Sequence, residues 1–169
     1  MVVINVRKGL VLLTMGTALV PVYAALNYVA IQMGDEALRR GPEWEGGVPL
    51  NDAMSPVAAH AWMWTCWVAL GAGLVGVALI VIGALLLRLR GRGRTGLLTA
   101  AWVIAVPYLP ILFLALLNPV RAGIFDLPDY EAGLPWWQSA THYLLMAAAL
   151  VQAMGLTWLA RASANPSHR

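Results

Sequence analysis

Residues 58–87 read AAHAWMWTCWVALGAGLVGVALIVIGALLL, and residues 88–94 continue RLRGRGR. The first stretch holds no Asp, Glu, Lys or Arg. It exceeds the about 20 apolar residues that a helix needs to cross the hydrocarbon of a bilayer. Lipid offers no partner for backbone polar groups, so such a segment has to be helical. The second stretch sets Arg88, Arg90, Arg92 and Arg94 at the end of that helix. Such a basic cluster marks the cytoplasmic side.

The rest of the chain repeats the pattern. Further apolar runs cover about Gly9 to Met33, Gly96 to Leu117 and Leu134 to Ala160. Of the 169 residues, 60% are hydrophobic and 11% charged. A typical soluble domain carries more than twice that share of charge, roughly 25%. All 8 carboxylates fall in two connecting segments. Asp35, Glu36, Glu43, Glu45 and Asp52 lie in 34–57, and Asp126, Asp129 and Glu131 in 118–133. Arg7, Lys8, Arg88, Arg90, Arg92, Arg94, Arg161 and Arg169 then fall on one side, and Arg39, Arg40 and Arg121 on the other. That bias predicts an all-α, polytopic integral membrane protein of the cell membrane. Residues 1–169 form one four-transmembrane-helix bundle with both termini cytoplasmic and a short disordered tail at 163–169. Trp44, Trp62, Trp64, Trp67, Trp136 and Trp137 gather towards the outer face as an interfacial belt, with Trp102 and Trp158 nearer the inner side.

Arg7-Lys8, the apolar stretch after them and Val22-Tyr23-Ala24 also have the form of a secretory signal. The apolar character continues to Ile31, which favours an uncleaved first helix. Pro21, Pro107 and Pro110 fall inside runs and each removes a backbone donor, so kinks are expected there. Asp35 to Arg40 can extend the first helix by a turn or two. Leu50-Asn51-Asp52 with Ser55-Pro56 can cap the second. Ala69, Gly73, Ala72 and Gly76 place small residues four apart, a spacing that lets helices approach within one chain or between chains.

Several functions are excluded. Cys66 is the only cysteine. Neither an intrachain disulfide nor dithiol redox chemistry is therefore available. No basic face with interleaved aromatics exists outside the apolar runs, so nucleic acid is not an expected partner. The basic clusters can meet anionic headgroups of membrane lipids.

The residues that can carry chemistry are few. His60 and His142 are titratable groups on different helices near the outer leaflet. With Asp126 and Glu131 they are the candidate acid–base set, and the two imidazoles can also ligate haem or share copper. His142 is expected two turns into the fourth helix. His60, Met63 and Cys66 recur at helical spacing with copper-compatible ligands, although methionines in an apolar chain are also ordinary packing residues. The carboxylates of the outer loops read by default as solvated charge. Asn27 in the outer half and Gln152 in the inner half are too far apart to bond, so each needs its own partner or a wet cavity. Tyr23, Asn27, Tyr28 and Tyr143 are the candidate ligand-binding residues, combining apolar walls with a few polar tips.

In outline the plan of four spans with a long first outer loop resembles claudin-type proteins, although the paired cysteines expected in that loop are missing. It is also similar to four-span sterol-isomerase and sigma-2-receptor-like proteins, whose membrane-facing acidic residues are not evident here. Neither resemblance rests on a motif, and no residue is carried over from either. The leading functional expectation is a non-catalytic tetraspan protein that binds a lipophilic small molecule or a partner membrane subunit through its outer half. The alternatives are a membrane enzyme acting on a lipophilic substrate (an isomerase, cyclase or quinone-linked oxidoreductase) and a haem- or copper-bearing redox subunit. Sequence leaves the cofactor unknown.

Overall fold

In the computed structural model, residues 2–41, 54–86, 92–121 and 127–164 are described. Asp126, Trp44, Asn51-Asp52, Arg88, Arg90 and His168 lie outside them. The described residues are helical and contain no strand. The helices are α1 (Val2–Arg40), α2 (Pro56–Leu86), α3 (Arg92–Ala105), α4 (Tyr108–Leu116), α5 (Pro128–Gly133) and α6 (His142–Ala164), with a 3-10 turn at Gln138–Ala140. Four segments are long and apolar enough to cross a membrane: Arg7–Arg40, Pro56–Leu86, Thr95–Leu116 and Gln138–Arg161.

Helices α3 and α4 form one span broken at Val106–Pro107. Pro107 and Pro110 supply no N–H, which interrupts the helical ladder. The chain makes three-residue turns there, with Val106 N–H to Val103 O at 3.2 Å and Leu109 N–H to Val106 O at 3.1 Å. Pro110 then sits in the first turn of α4. A missing N–H costs nothing at that position. Pro21, by contrast, stays within a continuous α1.

Helix α1 packs most extensively on α6 and next on α2. Glycine explains the first of these contacts. A Cβ on Gly9 would lie 3.0 Å from the Gly155 carbonyl oxygen, and one on Gly155 2.9 Å from the Gly9 carbonyl oxygen. The two backbones touch, which only small residues permit. The glycines of α2 also serve packing within the chain: Gly83 meets Leu10, Leu13 and Leu159. One apolar cluster runs the length of the four spans through Leu13, Val68, Leu79, Leu145 and Leu156. A second caps the end where α1 finishes, with Ile31, Leu38, Ala61, Tyr130 and Leu134, because α5 folds back onto α1.

That end is built by local sequence. Ser55 caps α2, its hydroxyl accepting the Ala58 N–H at 3.2 Å. Pro56 occupies the first helical position. A serine cap followed by proline is a strong local signal for a helix start. Helix α1 continues to Arg40, which brings Asp35 to the same place. Asp35 is not solvated loop charge. It is 4% exposed, accepts the Ser55 N–H at 3.1 Å and pairs with Arg39 at 2.9 Å. A carboxylate beside the first turn of α2 also meets the positive end of that helix dipole.

Candidate functional site

Two clusters of uncharged polar side chains interrupt the apolar interior, and both hang on α6 and the turn before it. The first cluster centres on Gln138, which is fully buried. Its Nε2 donates to Asn118 Oδ1 at 2.7 Å and to Asn27 Oδ1 at 3.3 Å, while its Oε1 accepts from Asn118 Nδ2 at 3.1 Å. The single Thr141 hydroxyl hydrogen is shared between Asn27 Oδ1 at 3.1 Å and Gln138 O at 2.8 Å. Asn27 Nδ2 returns to Tyr23 O at 2.9 Å. Asn118 takes a left-handed backbone (φ 48). Asparagine tolerates that conformation better than most residues. This knot ties α1 to the segments on either side of α5, and each of its amide oxygens has a donor.

The second cluster lies midway along α6. Gln152 is 1% exposed, and its Nε2 donates to Thr17 Oγ1 at 3.0 Å. Thr17 spends its own hydrogen on Leu13 O at 2.9 Å. Only the NH₂ end of the amide therefore suits that contact. Gln152 Oε1 is turned elsewhere, and it is buried with no hydrogen-bond partner. Tyr108 stands beside the same amide and donates to Ala72 O at 3.3 Å. Two glycines make the room: a Cβ on Gly16 would lie 2.6 Å from Gln152 Cγ, and one on Gly76 would lie 2.6 Å from Thr17 Oγ1 and 2.9 Å from Gln152 Nε2.

Gln152 and Tyr108 form part of the wall of a half-open cavity of ≈ 320 Å³ between the broken third span and α6. The remaining wall is apolar, with Trp102, Leu109, Leu112, Met146 and Leu150 among its residues. The rim is the outer face of the bundle, since Leu109 is 69% and Leu150 64% exposed. The cavity lies against the broken third span, which is the least buried of the four.

The residues expected from sequence are dispersed. Tyr23 and Asn27 are buried in the bundle, whereas Tyr28 stands edge-on to Trp62 with ring centres 5.0 Å apart, and Tyr143 is exposed beside His142. His60 Nε2 accepts the Trp64 indole N–H at 2.9 Å. His142 is the first residue of α6 rather than two turns inside it, because Pro135 and the 3-10 turn delay the helix start. Glu131 is exposed on α5, and Asp126 lies outside the described residues. Among the described residues, no three His, Cys, Asp or Glu side chains converge closely enough to hold a metal ion.

Outside the spans, Tyr130 is 3% exposed against Gly34, with an unpartnered hydroxyl. Burial, and then the nearby Asp35 charge, push its pKa well above the ordinary tyrosine value. Both effects disfavour the phenolate.

Sequence reading singled out Asn27 and Gln152 but missed Gln138, Thr141, Asn118 and Tyr108. A glutamine and a threonine at the head of the fourth apolar run were the available signal. Comparison with protein-family models, curated proteins and solved structures yields no match for this chain.

Proposed function

We propose that this chain is a non-catalytic membrane protein, with both termini in the cytoplasm of its cell, that binds a lipophilic molecule at the α3/α4–α6 cavity. The ligand class is an apolar body carrying one hydroxyl or N–H donor. The observation behind this reading is that Gln152, whose buried Oε1 is an acceptor without a donor, lines a cavity that is apolar apart from it and Tyr108. An unsatisfied buried carbonyl costs about 1–3 kcal/mol, and a donor arriving from the lipid side would recover it. The Tyr108 oxygen has its hydrogen directed at Ala72 O. Its lone pairs add further accepting capacity. The site sits deeper than the outer half expected from sequence, because the polar groups of that half bond to one another.

The test compares a long-chain alcohol with its methyl ether, which lacks the donor, by thermal stabilisation of the protein in mild detergent. The alcohol should protect and the ether should protect about tenfold less well at equal concentration, the worth of one buried hydrogen bond. Gln152→Leu should erase the difference, and Ala149→Trp, which fills the cavity, should abolish protection by both. Equal protection by alcohol and ether, or protection that survives Ala149→Trp, defeats the reading.

A further inference from the structure

The opposite ends of the long α1 and α6 differ sharply in charge. Every side-chain carboxylate lies in residues 35–52 or 126–131. Asp35 follows Lys8 by enough residues to stand about 40 Å away along α1, at about 1.5 Å per residue. The other end of this helix pair carries Arg7 and Lys8 on α1 and Arg161 on α6, all exposed. Among the described residues, no carboxylate pairs with any of the three.

A groove of ≈ 630 Å³ opens at this place, lined by Arg7, Lys8, Val11, Leu12, Met154 and Trp158. The order along it is polarised. Arg7 and Lys8 line it nearest the start of α1. Val11 and Leu12 lie one turn further in on the same face of α1, and on α6 Met154 lies one turn in from Trp158. Lys8 Nζ sits 5.5 Å from the centre of the Trp158 ring. The ammonium is thus held over an apolar surface by the attraction of a cation to an aromatic face. Arg161 follows Trp158 by three residues and extends the positive rim. Val11 and Met154, 56% and 53% exposed, are left uncovered.

We propose that this groove is a binding site for one anionic phospholipid. The phosphate and its anionic headgroup meet Arg7 and Lys8, and an acyl chain lies along Val11, Leu12 and Met154. Charge complementarity selects the headgroup: two cations with no carboxylate nearby favour a net negative lipid, whereas a zwitterionic headgroup brings its own cation to the same rim. The apolar bed selects a lipid over a free phosphate, which would leave it empty. This site is separate from the α3/α4–α6 cavity and does not depend on that cavity's ligand.

The test is native mass spectrometry of the protein released from mild detergent. The protein is given equal amounts of phosphatidylglycerol and phosphatidylcholine with identical acyl chains. The first lipid retained should be phosphatidylglycerol. Arg7→Gln with Lys8→Gln should weaken its retention by about fivefold for each cation removed. Arg7→Lys with Lys8→Arg should preserve it, and Arg121→Gln, at the far end, should leave it unchanged. Excess inorganic phosphate should not displace the lipid. Equal retention of the two lipids would overturn the proposal. So would an undiminished preference in the double glutamine variant, the same loss in Arg121→Gln, or displacement by phosphate. A melting curve for each variant separates loss of the site from loss of the fold.

Discussion

Gln138 and Gln152 are the same side chain, almost equally buried, on adjoining stretches of the same span. Gln138 has both ends of its amide engaged by Asn118 and reaches Asn27 as well. Gln152 has one end engaged by Thr17 and an oxygen left without a donor. Residue type therefore does not decide the role of a buried amide; the neighbours do. Around Gln138 the neighbours are amides and a hydroxyl from three separate segments, so the cluster closes on itself and fixes where α1 meets the connections at α5. Around Gln152 they are glycines and a tyrosine beside a gap, so one valence stays open. The first arrangement closes every amide oxygen, and the second leaves a buried acceptor without a donor.

Replacing each glutamine by leucine should break the two clusters unequally. Gln138→Leu strips both bonds from the half-buried Asn118 amide and one from the buried Asn27. With about 1–3 kcal/mol for each stranded group, the loss of stability should reach about 3 kcal/mol. In Gln152→Leu, Thr17 keeps its bond to Leu13 O and an unsatisfied oxygen is removed. That variant should cost less than about 1 kcal/mol. Unfolding in mixed micelles against rising denaturing detergent measures both. Equal losses would erase the distinction between the clusters.

Gly76→Ala sharpens the comparison from the other direction. Its new methyl would press on Thr17 Oγ1 and Gln152 Nε2 and drive the amide from its position. Alanine also gains about 1 kcal/mol of helix propensity over glycine, so net stability should change by less than about 1 kcal/mol. The preference for an alcohol over its ether should nevertheless fall with the amide displaced. Asn118→Gly belongs to the Gln138 cluster, at the one non-glycine residue with a left-handed backbone among those described. Glycine keeps that conformation at no steric cost and loses only the amide. It should be about 1 kcal/mol milder than Asn118→Leu, which pays both penalties. The same micelle titration reads this difference.

The four spans were legible in sequence because a run of about 20 apolar residues without charge has one physical solution in lipid. The structure has four helices of that kind. The extension of α1 was legible too, as was the Ser55–Pro56 start of α2. Caps are local, so their signal survives without knowledge of the fold. The polar clusters were half legible. Asn27 and Gln152 stood out as amides inside apolar runs, and each has its own partner. Which of them would be satisfied was not legible, because the answer depends on Gln138 and Asn118 far along the chain and on the break at Pro107. Asp35 misled for the same reason: in sequence it belongs to an acidic loop, whereas in the fold Ser55 and Arg39 receive it.

Tyr130 offers a smaller test of the same principle, outside the spans. Its hydroxyl, like Gln152 Oε1, is buried and unpartnered, but Tyr130 is on a capping helix rather than among the residues that line the cavity. Tyr130→Phe should therefore change stability at neutral pH by less than about 1 kcal/mol. The difference should emerge in alkali. Burial and the Asp35 charge raise the folded pKa above the ordinary 10.0. Between that value and the folded pKa, the unfolded chain releases the phenolic proton while the folded one retains it. Fewer protons bound in the unfolded state means that stability falls as pH rises, by about 1.4 kcal/mol for each pH unit in that window. The phenylalanine variant lacks this proton and should lose correspondingly less. Parallel unfolding curves for the two proteins above the ordinary tyrosine pKa would mean that Tyr130 ionises as freely in the fold as outside it, and that α5 does not hold it from water.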